Sequence, residues 1–208
     1  MDLINTIRTE RLAKIERLKE AGMEAYPSRT SRTHTVDQFL ENHEILLKNS
    51  EEVILAGRVM SIREHGGSLF VDIFDGTVKA QVYFKKENLA ENVFEQFVLL
   101  VDTGDIIEGG GVAFTTKRGV PSMLGNSWRM LAKSLRPLPS GWHGLADTEE
   151  RFRRRYLDSL TNSEVKNRFV VRAKIIQAIR QGLEAANYIE VETPILQAQA
   201  GGASAIPF

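Results

Sequence analysis

The chain has 208 residues and a formal net charge of zero, with 27 basic against 27 acidic side chains, a length that suits one or two domains with a real core. A balanced charge excludes a protein whose whole field draws in nucleic acid, so a polyanion must be held by a local patch. With no cysteine, disulfides and thiolate zinc sites are excluded, and His34, His43, His65 and His143 lack the spacing of a helical metal pair, so no metal site is expected.

Met1-Asp2-Leu3-Ile4-Asn5 is not a secretory signal, and no stretch approaches the roughly 20 apolar residues that span a bilayer. A cytoplasmic protein with no membrane partner is the expectation. Leu3, Ile4, Ile7, Leu12, Ile15 and Leu18 form one apolar stripe among charges and predict a helix over 2–21, with Gly22 at its end. Thr35-Val36-Asp37-Gln38 has the form of a capping box and predicts a second short helix through about Lys48. Both helices read as packing on the next domain more readily than as RNA contacts.

From Val53 the apolar period changes to two. Val53, Leu55 and Val59, then Leu69, Val71 and Ile73, then Val78, Ala80, Val82 and Phe84 predict three strands, with Asp75-Gly76 as a two-residue hairpin turn between the last two. A helical stretch near Glu87–Leu99 precedes two more strand-like runs, 106–114 and 123–135. Three strands, a helix and two strands is the element order of a five-stranded OB barrel, although a generic antiparallel barrel gives the same pattern. Leu135-Arg136-Pro137-Leu138-Pro139 then breaks regular structure. Asp147 predicts a helix cap ahead of Arg151, Arg153, Arg154 and Arg155, a group that suits a hinge or an RNA-backbone patch. Val165, Phe169, Ile176, Ile179 and Leu183 place one apolar face on a longer helix that stops near Asn187, and Ile189, Val191 and Thr193 alternate as a short strand ending at Pro194. The domains expected are a helical extension (1–50), the barrel (51–135), a hinge (136–162) and the start of an α/β domain (163–208).

Counting outward from Asp75-Gly76 puts Phe70 opposite Gln81, both with the parity opposite to Val71, Ile73, Ala80 and Val82. Both therefore point away from the barrel interior. An outward ring beside an amide suits an unstacked base, which the ring stacks and the amide bonds at its edge. Arg63 adds a cation near the end of the first strand. A single exposed phenylalanine is also common on surfaces, and these residues alone leave both readings open.

Leu135-Arg136-Pro137-Leu138-Pro139, Trp142-His143-Gly144-Leu145 and Arg154-Arg155-Tyr156-Leu157-Asp158 together resemble the hinge of lysyl-tRNA synthetases. Glu190-Val191-Glu192-Thr193-Pro194 resembles motif 1 of class II synthetases, and Gly201-Gly202-Ala203-Ser204-Ala205-Ile206-Pro207-Phe208 the segment that leads into their active-site sheet. The resemblance, to the bacterial type of that family, runs across nearly the whole chain. It implies the anticodon barrel of tRNA(Lys) recognition, with Arg63, Phe70 and Gln81 at the central uridine, and a homodimer interface drawing on Phe169, Ile176, Ile179 and Pro194. Gly201 would lie near the bound lysine. The implied reaction joins lysine to tRNA through a lysyl-adenylate, using ATP and Mg2+. The residues that grip ATP lie in motifs 2 and 3, which this chain does not contain, so no catalytic residue is expected here and the chain by itself is expected to be inactive. Val120 and Ile206 stand where the family often has an acid and an arginine.

Two rivals share some of these features. Aspartyl- and asparaginyl-tRNA synthetases have the barrel and motif 1, but their bacterial forms usually begin almost at the barrel, without two helices in front. A non-catalytic OB-fold RNA-binding module accounts for the barrel and not for motif 1.

Overall fold

The computed structural model describes residues 3–139 and 144–195. Its organising element is one long strand, β1 (Glu52–His65), which is shared between two partners. Residues 52–58 pair antiparallel with β4 (Ile106–Thr115), and residues 58–65 pair antiparallel with β2 (Ser68–Phe74). A bulge between Val59 and Ser61 marks the change of partner and adds the local twist that lets one strand serve both. β3 (Lys79–Lys85) and β5 (Pro121–Ala132) complete a closed barrel in the order β1-β2-β3-β5-β4. This is the OB architecture that the sequence predicts.

Alternation decides what lies inside. Val53, Leu55, Val59, Leu69, Val71, Ile73, Ala80, Val82 and Phe84 are all buried, each on the parity read from the sequence. The barrel mouth is filled by α4 (Val93–Leu100), whose Phe97 ring meets Phe84 and Trp128 at centroid distances of 5.2 Å each. The expected helix over 87–99 is in fact a short 3-10 turn, Lys86–Asn88, followed by α4, with Asn92 at φ 65° between them. Close packing leaves no room for a side chain at two positions on β4 and β5. A Cβ on Gly125 would stand 2.3 Å from the Phe84 ring, and one on Gly111 would stand 2.1 Å from the Leu124 carbonyl oxygen.

The hairpin register differs from the two-residue turn. Phe74 pairs with Lys79, so 75–78 form a four-residue loop, and Phe70 faces Tyr83 while Gln81 faces Asp72. The cause is the Asp75 carboxylate. One of its oxygens accepts from the Thr77 amide (2.9 Å) and hydroxyl (2.6 Å), and the other accepts from Val36 N (2.9 Å) at the start of α2 (Val36–Glu41). A side chain committed to those three donors closes a wider turn than the type I′ hairpin needs. The shift is two residues, so parity survives and every side chain keeps its face.

Thr35 caps α2 through the full capping box with Gln38, as expected, but Asn42 separates α2 from α3 (His43–Asn49) where one helix was predicted. The first helix, α1 (Leu3–Glu20), docks through only part of its apolar stripe, with Leu18 in the core and Ile15 packed against it. Leu3 is 73% exposed and Leu12 is exposed, whereas Arg11 and Leu18 are buried. Arg11 donates to the carbonyls of Ser134 (2.9 Å), Arg136 (3.2 Å) and Thr103 (3.1 Å), and Lys14 reaches Asp102 at 2.8 Å. The docked face thus combines apolar contacts of Leu18 and Ile15 with cations bonded to carbonyl and carboxylate oxygens.

Those contacts surround a buried ionic cluster. Lys133 Nζ, with a fully buried side chain, donates to Asp105 (2.6 Å), Asp102 (2.5 Å) and the Leu100 carbonyl (2.6 Å). Asp105, also fully buried, accepts in addition from the amides of Asp102 (2.7 Å) and Ser134 (2.8 Å).

The chain divides into two compact units, Met1–Leu138 and Pro139–Phe208. In the second unit Asp147 caps α5 (Thr148–Arg153), and α6 (Arg155–Thr161) and α7 (Ser163–Ala185) follow, with Asn187 at φ 64° just past the last helix. The arginine group is occupied by carboxylates of the same unit. Arg151 and Arg155 both hold the buried Asp158 at 3.1 Å, Arg153 pairs with Glu149, and Arg154 with Glu150. Each of these four arginines thus has a carboxylate partner within its own unit. The alternating run 189–193 forms no strand, because no described segment offers it a ladder partner.

Candidate nucleic-acid interface

Two rows of side chains cross the outer face of the barrel. Arg63, Phe70 and Tyr83 are consecutive partners across β1, β2 and β3. Two residues along, Ser61, Asp72, Gln81, Ser122 and Phe114 run across all five strands. All have the outward parity, and the two rows lie one pleat apart. Phe70 stacks on Tyr83 with centroids 4.7 Å apart and planes at 22°, and Tyr83 stacks on Phe114 at 5.8 Å and 24°. Rings at this spacing gain from each other and form an aromatic strip outside the core.

The polar groups beside the strip are arranged by hydrogen bonds. Ser122 Oγ lies 3.3 Å from both Gln81 Oε1 and the Val120 carbonyl oxygen, and its one proton can go to either. Ser61 Oγ donates to Asp72 at 2.5 Å, and the other Asp72 oxygen takes a long contact of 3.4 Å from the exposed Arg63 guanidinium. Ser68 Oγ and the Tyr83 hydroxyl lie 3.1 Å apart and fix the tilt of that ring.

The β4–β5 turn forms the far wall. Thr116 N donates to the Val120 carbonyl (3.0 Å), Val120 N donates to Thr116 Oγ (3.0 Å), and Gly119 takes φ 78°, which a side chain would oppose. Lys117 and Arg118 project from the tip. The strip and this wall enclose an open cleft of about 580 Å³ lined by Arg63, Phe70, Gln81, Tyr83, Phe114, Thr116, Lys117, Arg118 and Val120. That size lies in the range of about 300–1,000 Å³ that takes small planar ligands.

The three residues singled out from the sequence for this face, Arg63, Phe70 and Gln81, line the same cleft. Sequence reasoning missed Tyr83 and Phe114. Tyr83 shares Gln81's parity on β3 and was legible by the same count, whereas Phe114 reaches the strip only because β5 brings β4 round to β3. Elsewhere, Phe169, Ile176 and Ile179 sit on α7 at 46%, 40% and 58% exposure, and Pro194 is exposed in an irregular stretch. Gly201 lies outside the described residues. Among the described residues no group of three or more histidines and carboxylates could hold a metal ion, and no helix is long and apolar enough to cross a membrane.

Residues 53–138 match a family model described as an OB-fold nucleic acid binding domain, and residues 147–208 match one described as class II tRNA synthetases (D, K and N). Over 206 residues the chain is 43% identical to a lysine–tRNA ligase of Roseiflexus sp. (strain RS-1), covering 99% of this chain and 42% of that protein. It is 41% identical over 205 residues to the lysine–tRNA ligase of Carboxydothermus hydrogenoformans (99% and 41%). Against the chloroplastic/mitochondrial lysine–tRNA ligase of Arabidopsis thaliana it is 40% identical over 208 residues (97% and 35%). The chain thus spans about two fifths of the length of the bacterial relatives it matches.

Proposed function

From the premise that this chain is similar, along nearly its whole length, to a part of lysine–tRNA ligases, we propose that its barrel reads the anticodon of tRNA(Lys) for a longer enzyme that joins lysine to that tRNA. The observation that carries this reading is the cleft that brings Phe70, Gln81 and Arg63 together on an aromatic strip outside the core. Rings held on a rigid sheet accept a base that has left its stack, and a stacked base presents its edge to neighbouring polar groups. In this reading Phe70 stacks the central base. Gln81 donates from its amide nitrogen to a uracil carbonyl, and Arg63 supplies a second donor. We assign the protein to the cytoplasm on its likeness to the bacterial relatives.

Gln81 is the residue that discriminates. RNA hairpins differing only in the central loop base should bind the 208-residue chain with a preference for uridine. Gln81→Ala should reduce that preference by roughly two- to tenfold, the worth of one hydrogen bond of about 0.5–1.5 kcal/mol. A preference unchanged by the substitution would remove Gln81 from the site.

Activation of lysine by ATP and Mg2+ belongs to the longer protein in this reading. The described residues do not include a set that fits a metal ion, so no step of that reaction is assigned to them. We also assign the α7 face to a homodimer. Phe169, Ile176, Ile179 and Leu183 all leave much of their surface exposed, and burial of each large side chain stabilises by about 1.5–3 kcal/mol. Sedimentation should therefore show concentration-dependent dimers that Ile179→Glu weakens. A monomer at every concentration would contradict the assignment.

A further inference from the structure

The boundary between the two compact units falls after Leu138. Such a boundary is ordinarily a stretch that few contacts cross. Here β5 ends at Ala132 and the residues after it belong to no strand, yet their polar groups are bonded, largely by residues near the start of the chain. Lys133 N donates to the Ala25 carbonyl (3.3 Å), and the Lys133 carbonyl accepts from the Tyr26 hydroxyl (2.8 Å). Ser134 N donates to Asp105 (2.8 Å). One terminal nitrogen of Arg11 bridges the carbonyls of Ser134 (2.9 Å) and Arg136 (3.2 Å), and the other holds the Thr103 carbonyl (3.1 Å). Arg11 is buried, so water competes little for these bonds. Leu138 closes on the same loop as Thr103: a Cβ on Gly104 would stand 3.3 Å from its Cγ.

We propose that the amino-terminal segment is a clasp on the barrel's exit, with Arg11 its positioning residue: by tying Thr103, Ser134 and Arg136 together it fixes the direction in which the chain leaves the barrel. This rests on the anticodon reading for its purpose. A barrel that reads a tRNA for chemistry done elsewhere in a longer chain must hand that tRNA on at a set angle, and a slack exit would spread the angle widely. Two points held on the exit and one on the loop before β4 remove that freedom before the linker begins. Arginine suits the task because its planar fork offers five donors in fixed directions, where lysine offers a point charge on a flexible stem. The clasp stands apart from the base-reading cleft, whose lining includes none of Arg11, Tyr26, Ser134 and Arg136. Reading and positioning are then separate tasks of one small domain.

The test is backbone amide NMR relaxation of the 208-residue chain, read together with hairpin binding. In the parent, Leu135 and Arg136 should have order parameters like those of the barrel strands, about 0.85; in Arg11→Ala they should fall below about 0.6 while β1–β5 keep theirs. Arg11→Lys keeps the charge beside Asp102 but not the fork, so α1 should stay docked while the exit loosens. Tyr26→Phe removes a single bond at an exposed ring and should loosen the exit by a smaller step. These two variants decide the matter if Arg11→Ala does not fold. Hairpin affinity should stay within about twofold of the parent throughout. Parent order parameters in both Arg11→Lys and Tyr26→Phe, or an exit already mobile in the parent, would overturn the clasp and leave the anticodon reading standing. Loosening spread over the barrel strands would also overturn it, because Arg11 would then be holding the fold in general. So would a loss of hairpin affinity, because Arg11 would then be serving the cleft. A clasp that loosens as expected in a chain that binds no hairpin would support the fixed exit and remove the anticodon reading alone.

Discussion

Replacing Lys133 with alanine is expected to cost about 3–5 kcal/mol of folding stability, the usual consequence of removing one partner from a buried ion pair. Lys133 is the only cation that reaches Asp105 among the described residues, and Asp105 has no exposed surface. Without the ammonium, that carboxylate keeps two backbone donors and loses its counter-charge, a few ångströms from a second carboxylate on Asp102. Asp102 suffers less, because Lys14 and Arg11 remain. Lys133→Met should cost nearly as much, since it restores the aliphatic stem and not the charge. Urea denaturation of the full chain measures this. A loss below about 1 kcal/mol would mean that the cluster is not held by Lys133.

The same cluster sets the response to acid. Burial pushes the Asp102 carboxyl up, but hydrogen bonds from Lys133 and Lys14 and their charges outweigh it and hold the group below its ordinary value. Glu108, opposed in the same way by burial, is lowered by Arg129, the Ser31 amide and Thr30. A carboxylate lowered by folding stabilises the native state above its unfolded pKa, about 4, and that contribution is lost as pH falls through the folded value. Stability should therefore be level near neutrality and decline below about pH 4.

The second large effect falls on binding. Phe70→Ala should weaken the hairpin with a central uridine by about 1–3 kcal/mol, roughly fivefold to a hundredfold in affinity. Tyr83 lies parallel to Phe70 at 4.7 Å, and truncation would expose its face as a poorer substitute platform, so the lower half of that range is expected. Phe70→Leu separates stacking from apolar burial: it keeps most of the area, lacks the π-face, and should bind nearly as poorly as alanine. Leucine binding as well as the parent would show that the ring serves only as a greasy surface.

Much of this face was legible in the sequence, because the alternation from Val53 to Phe84 fixes parity, and parity alone decides that Phe70 and Gln81 point outward. The predicted turn at Asp75-Gly76 was too tight, yet an error of two residues moves no side chain to the other face. What the sequence hid depends on closure. Phe114 lies far along the chain from Phe70 and joins the strip only through β5, and Lys133, Asp102 and Asp105 look like ordinary surface charges until the barrel buries them. The stripe on α1 was legible in part: Ile15 and Leu18 pack on the core, while Arg11, which donates to three carbonyls, shares the docked face and Leu3 and Leu12 stay exposed.

Stacking of the Phe70 ring on the middle base of the loop can be measured by a double-mutant cycle. Affinities are measured for the parent and Phe70→Ala, each with a hairpin carrying the central uridine and with one that is abasic at that position. If ring and base touch, removing either removes the same interaction. The cycle should then return a coupling of about 1–3 kcal/mol, with Phe70→Ala nearly silent on the abasic hairpin. Losses that add to within about 0.5 kcal/mol would mean that ring and base act at separate places, and Phe70 would not be the stacking residue.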